Sequence, residues 1–278
     1  MKKYFILIAS VLLFSSCELL EDLLEETTSS ELSSSEIVQG LKEALEVGTD
    51  TASTEMSVNN GYYKGSPSLA LIQLPDEVAL IRTKINSNST VRTISNLIGM
   101  DDKFDDVILA VNRAAEDAAK DVAPIFKDAI FNLTITDGLN ILQGIVPGTT
   151  ITKSGITVFD STAATQYLKI QTFNSLTSLY APKINATLDK DLVSGKSANE
   201  IWGTLTTTYN TLLGMLSSST ISDLGLPSSI NSDLGEFSTQ VALDELFYRV
   251  GEEEKKIRKD PFKWASSIIQ KVFGYVFD

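Results

Sequence analysis

Between residues 104 and 129 the apolar side chains recur at alternating steps of four and three: Phe104, Ile108, Val111, Ala115, Ala118, Val122, Ile125 and Ala129. Such a series shares a face only when the chain is α-helical. Three of its eight members are alanines, Ala115, Ala118 and Ala129, so a neighbouring helix must approach closely there. Pro124 lacks an N–H and crowds the carbonyl of Lys120, which predicts a kink or break near Val122. The opposite face carries Asp105, Arg113, Glu116, Asp117, Lys120 and Asp121. A seam of this length commits the chain to helix-on-helix packing.

The remaining segments follow the same rule. Ser33-x-x-Glu36 has capping-box spacing and precedes Ile37, Leu41, Ala44 and Leu45, which predicts a helix from about Ser34 to Val47 ended by Gly48. Residues 57–68 carry turn chemistry and two adjacent tyrosines, Tyr62 and Tyr63. Pro75-Asp76-Glu77 places proline at a first helical position and acids in the first turn. A short helix is expected over 90–98, stopped by Gly99. Helices resume at Ser161, with Ala164, Tyr167, Leu168, Leu176, Leu179 and Tyr180 as core positions and a bend at Pro182. Ser197-x-x-Glu200 repeats the capping box and opens a helix burying Ile201, Trp202, Leu205, Tyr209, Leu212 and Leu216. Residues 217–232 read as a Ser/Gly/Pro-rich loop. Two last helices are expected over 233–259 and 261–276, with Asp260-Pro261 as the restart signal between them.

One stretch departs from helical periodicity. Pro147-Gly148 and Ser154-Gly155 punctuate threonines and β-branched residues between Ile145 and Phe159, which suits a small hairpin. The expected fold class is therefore all-α. It is a single multi-helix domain of antiparallel packed helices with one small hairpin-like insertion near 145–159. No composition shift marks a second domain.

The N-terminus has its own logic. Met1-Lys2-Lys3 is basic, Tyr4 to Phe14 is apolar, and Ser15-Ser16-Cys17 follows. That apolar run is about half the length needed to span a bilayer, so it reads as a signal peptide. The segment resembles a bacterial lipoprotein signal, in which small residues precede the cysteine that is cut and lipidated; Phe14 stands where Leu is usual. The organisation expected is a signal peptide over 1–16, an acidic tether over 17–33 and a helical domain over 34–278. Cys17 would hold the protein to the cell envelope, most simply at the outer membrane on its periplasmic face or at the cell surface. Glu18 to Glu26 reads either as a surface-export signal or as a solvated spacer.

Charge and two absences narrow the chemistry. The net charge is −13; removing Lys2 and Lys3 with the leader takes it to −15. Such a domain repels nucleic-acid phosphates, so nucleic acid is not an expected partner. The chain has no histidine, and Cys17 is its only cysteine. Once Cys17 is acylated, Ser-His-Asp, Cys-His and zinc-hydrolase mechanisms have no residues to run on. No cofactor motif and no metal-ligand spacing is present. The aspartates at 101, 102, 105 and 106 lack the spacing and glycine of a calcium loop, and acids at a helix start are stabilising by themselves.

Three motifs in fixed order carry a family resemblance. The first runs from Ser35 to Thr49 and the second is Asn112-Arg113-Ala114-Ala115-Glu116-Asp117-Ala118, followed by Pro124-Ile125-Phe126 and Asp128-Ala129-Ile130. The third comprises Ala242-Leu243-Asp244, Leu246-Phe247 and the charged run Glu252 to Pro261. Together they resemble the bacterial DUF4197 domain over about residues 33–274. The stretch Ile145–Phe159 stands as an insertion before Asp160-Ser161-Thr162-Ala163-Ala164-Thr165. The resemblance implies an α-helical exported protein of unknown function and supplies no catalytic residue.

What remains are groups that could meet a ligand. Arg113 and Glu116 from the central helix and Glu253 and Lys255 from the charged run are the candidate lining of a polar groove. A solvated helix end explains the charged run equally, since Glu252/Lys256 and Glu254/Arg258 are i,i+4 pairs in the favoured order. Both tryptophans, Trp202 and Trp264, are expected in core packing. The leading expectation is a non-enzymatic module binding an envelope protein or a small ligand. The alternatives are a hydrolase using carboxylates among Glu116, Asp117 and Glu253, which needs two carboxyls of unequal pKa about 5–9.5 Å apart, and a purely structural envelope protein.

Overall fold

A computed structural model of the chain describes residues 32–63, 71–149, 152–153, 156–157 and 159–275. The leader, Cys17 and the tether up to residue 31 lie outside the described residues, as do residues 64–68 of the expected loop.

Helix α1 (Ser34–Met56) starts at the capping box: Ser33 donates its backbone N–H to Glu36 Oε2 at 3.0 Å, and the Glu36 N–H returns to Ser33 Oγ at 3.3 Å. Gly48 does not end it. Pro75 precedes α2 (Asp76–Ser87) as its cap rather than occupying its first turn, and α3 (Ser89–Leu97) is capped by the Asn88 side chain. Gly99, at φ 65°, turns the chain into α4 (Met100–Ala118). A 3₁₀ turn over Ala119–Asp121 separates α4 from α5 (Val122–Asn132). The interruption falls where Pro124 denies the Lys120 carbonyl its helical partner.

A short α6 (Gly138–Leu142) follows, which the sequence did not announce. Within the expected hairpin only Thr152–Lys153 and Ile156–Thr157 pair, antiparallel, in register Thr152 with Thr157 and Lys153 with Ile156. Two residues on each side are too few to make a sheet part of the architecture, and the fold is all-helical. Helix α7 (Ala163–Leu188) carries Pro182 inside it, and α8 (Ala198–Met215) starts at the second capping box, with Ser197 Oγ and Glu200 exchanging bonds as expected. The 217–232 stretch is not all loop: α9 (Ser218–Leu224) is capped by the Ser217 hydroxyl. Helix α10 (Leu234–Lys259) starts at Asp233. The restart at Asp260-Pro261 yields only a 3₁₀ turn, Pro261–Lys263, and α11 (Ser267–Gly274) begins later, at a cap from Ser266.

Helix α10 packs on α1 and α7, α1 also packs on α5 and α11, and α4 packs on α7 and α8. The pairs around α10 are antiparallel. Along α1, Gly48 faces Val250 while the later Tyr62 reaches the carbonyl of the earlier Ala242; along α7, Glu254 meets Ala164 while Asn185 lies against Gly235. Gly48 therefore serves a helix crossing: a Cβ there would stand 3.1 Å from Val250 Cγ1 and 3.2 Å from its carbonyl oxygen. The seam is buried or half-buried throughout, with Phe104, Val111, Ala115, Ala118 and Val122 in the core and Ile108, Ile125 and Ala129 packed against it. Trp202 and Trp264 likewise pack against the core without being enclosed.

Leu179 is exposed rather than core. The polar side of the central helix is only partly a solvent face: Asp105, Lys120 and Asp121 are exposed, whereas Glu116, with Asn112 beside it, is buried at 4% and 0% exposure. Its small residues, Ala110, Ala114, Ala115, Ala118 and Ala119, let α4 be enclosed on several sides at once.

Candidate functional site

The polar residues of the central motif prove to be sutures for other segments' backbone. Asn112 accepts from the Ile72 N–H at 3.0 Å and donates to the Ile72 carbonyl at 2.8 Å, a two-point clasp on the chain entering α2. Glu116 accepts from the backbone N–H groups of Tyr62 and Tyr63 at 3.2 and 3.1 Å and pairs with Arg113 at 2.5 Å. Arg113 also donates to the Asn60 side chain at 2.9 Å and lies over the Tyr63 ring. Asn60 has φ 70°, so the turn leaving α1 is held in the left-handed region by this charged pair. Burial of the Glu116 charge beside the half-buried Arg113 is tolerated because each is paired and hydrogen-bonded.

The charged run on α10 behaves the same way. Glu254 accepts from the Ala164 and Thr165 N–H groups at 3.0 and 2.8 Å and from the Thr165 hydroxyl at 2.6 Å. It thereby caps the first turn of α7, whose own Thr162 makes no side-chain cap. Arg258 bridges Glu254 at 2.8 Å and donates to the carbonyls of Leu142 and Ile141 at 2.6 and 2.9 Å, closing the C-terminus of α6. One buried ion pair thus ties α6, α7 and α10 together.

Of the four residues expected to line one groove, Arg113 joins Glu116, buried Glu253 pairs with Lys256, and Lys255 pairs with Glu252 at 2.5 Å. Among the described residues no ion pair or hydrogen bond links the first two to Glu253 or Lys255. Tyr62, the residue Glu116 holds, reaches α10 at Ala242, and Lys255 lies thirteen residues further on, about 20 Å along the helix. The aspartates are distributed too: Asp101 and Asp105 both hold Arg82, and Asp106 holds Lys103.

Lys255 instead borders a cavity of about 310 Å³ lined by Leu142, Phe159, Ser161, Lys255, Arg258, Lys259 and Phe273. It lies at the junction of α6, α7, α10 and α11 that Arg258 secures. The interior is walled almost entirely by carbon, so the lysines contribute chiefly their aliphatic stems to it. The Arg258 guanidinium faces the Phe273 ring at 5.3 Å and the Phe159 ring at 6.0 Å. Phe159 is 58% exposed, a large ring left in water on one side. Gly144, at φ 77°, allows that ring to lie directly on the backbone: a Cβ there would collide with Phe159. The glutamate bonded to Lys255 raises that amine's pKa above the ordinary lysine value.

Sequence reasoning named Lys255 but missed Leu142, Phe159, Ser161, Lys259 and Phe273. The one available signal was Phe159, an aromatic set directly before Asp160-Ser161-Thr162 at the end of the insertion. A second hollow of about 510 Å³, between the start of α1, residues 135–140 and Tyr275, is more polar and carries no convergent charges beyond Asp137.

An all-helical domain sutured by buried carboxylates, with an apolar cavity at one helix junction, is the class of protein these features define. The chain belongs to the DUF4197 family, described as a protein of unknown function, which it matches over residues 31–274. No curated protein and no solved structure matches it.

Proposed function

We propose that this protein is an exported lipoprotein, cut before and acylated on Cys17, whose helical domain is a non-enzymatic binding module held at the outer membrane. The cavity between Leu142, Phe159 and Phe273 carries the binding half of the reading, because it combines apolar walls with a few charged residues in its lining. The motif residues that a hydrolase would need are otherwise engaged. Asp117 is held between Lys120 and Lys190, which lower its pKa, while Glu116 and Glu253 each hold a cation of their own. An acid/base pair instead needs one carboxyl kept protonated near neutrality. The anchoring half rests on the basic start, the short apolar run and the Ser-Ser-Cys ending of the first 17 residues. Among the described residues no helix is long and apolar enough to cross a membrane. Partners under this reading are the membrane, through the lipid on Cys17, and a small ligand or envelope protein at the helical domain; nucleic acid is disfavoured by the charge.

Fractionation of cells producing the wild type or Cys17→Ala tests the anchor. The wild type is expected in the membrane fraction, with an intact mass that starts at Cys17 and carries acyl chains, and the variant in the soluble fraction. Unchanged fractionation of the variant would contradict it.

A further inference from the structure

The cavity's charges are unequal in availability, and that inequality specifies a ligand class. Arg258 is spent on Glu254 and two carbonyls. Lys255 is spent on Glu252. Lys259 lines the same cavity, and among the described residues it has no carboxylate partner. Asp260 beside it pairs with Lys263 at 3.2 Å, and Asp160 accepts from the Thr162 N–H and hydroxyl at 2.7 Å. Among the described residues the lining therefore carries two compensated cations and one without a carboxylate partner, beside Leu142, Phe159 and Phe273.

We propose that this cavity binds a monoanionic amphiphile, an aliphatic carboxylate whose chain fills the space against Phe159 and Phe273 and whose head lies at Lys259 with the Ser161 hydroxyl as a neutral donor. This rests on the reading of the cavity as a ligand site. The volume holds about ten water-sized groups, which matches a chain near ten carbons. One cation without a carboxylate partner among the described residues favours one negative charge over a dianion such as a phosphate monoester. The protein's overall acidity does not forbid this, because charges further off than about 8 Å are screened at physiological salt while Lys259 lines the cavity itself.

The test uses decanoate, decanol and decyltrimethylammonium below their micelle concentrations, titrated calorimetrically into the soluble Cys17→Ala protein, with Lys259→Gln and Phe159→Ala beside it. Both side chains are exposed, so neither substitution threatens the fold. Decanoate is expected to bind more tightly than decanol, with the cation weakest. Lys259→Gln should weaken decanoate by about two- to fivefold, as loss of an exposed ion pair does, and leave decanol unchanged. Phe159→Ala should weaken both by roughly tenfold. Equal binding of decanoate and decanol would overturn the anionic class while leaving the cavity as a ligand site. Binding of none of the three would overturn both, and binding indifferent to Phe159→Ala would place the site elsewhere.

Discussion

Glu245 shows how one side chain can set a property of the whole protein. Its Oε2, on α10, is buried without a hydrogen-bond partner among the described residues, and burial pushes its carboxyl up to about 7 against the opposing pull of Arg249 and Lys169. A carboxyl raised in the folded state binds more protons there than when unfolded. Its contribution is therefore complete below its unfolded value near 4.5 and is lost as pH rises through about 7. The chain has no histidine, so no other side chain ordinarily titrates in that window. The melting temperature of the wild type is expected to fall between pH 5 and 7.5, and Glu245→Gln to flatten that fall. A slope unchanged in Glu245→Gln would show that another group governs it. Glu36 lies at the opposite extreme: Lys271 and the Ser33 donors hold it at about 2, so the support it gives is lost only as pH falls through that value.

At the scale of elements, the junction of α6, α7 and α10 hangs on Arg258. Arg258→Met keeps most of the side-chain volume but leaves Glu254 charged and buried, with the Ile141 and Leu142 carbonyls unpaired. The expected cost is about 3–5 kcal/mol in urea unfolding. A loss under about 1 kcal/mol would mean that water replaces the guanidinium. Helix starts were the legible part of this architecture, because capping is local chemistry: both Ser-x-x-Glu boxes form as expected. Helix ends were less so. Gly48 has the local signature of a stop, yet it serves the crossing with α10, a partner some two hundred residues away in sequence. Glu116 and Glu254 misled for the same reason. Their i,i+3 and i,i+4 charge partners are visible in sequence, whereas the backbone N–H groups they cap belong to distant segments. The cavity was hardest to see, since it depends on a ring before α7, a leucine ending α6 and a phenylalanine on α11 meeting in space.

On the scale of the whole molecule, the chain divides its polar residues between two tasks. The buried ones of the central and C-terminal motifs hold backbone together, as Asn112, Glu116, Glu254 and Arg258 do. Under the proposed function, recognition falls to the aromatic cavity and Lys259, which has no carboxylate partner among the described residues. Under the proposed topology the acidic chain from Cys17 to α1 lets the domain stand off the bilayer, so the cavity is presented to the surrounding compartment. The claim that this cavity is the ligand site is tested most directly by amide hydrogen exchange of the protein with and without decanoate. Added protection is expected in the segments around Leu142, residues 159–165, the end of α10 and α11, with residues 60–63 and 112–116 unchanged. Protection confined to the Arg113–Glu116 region, or found nowhere, would contradict it.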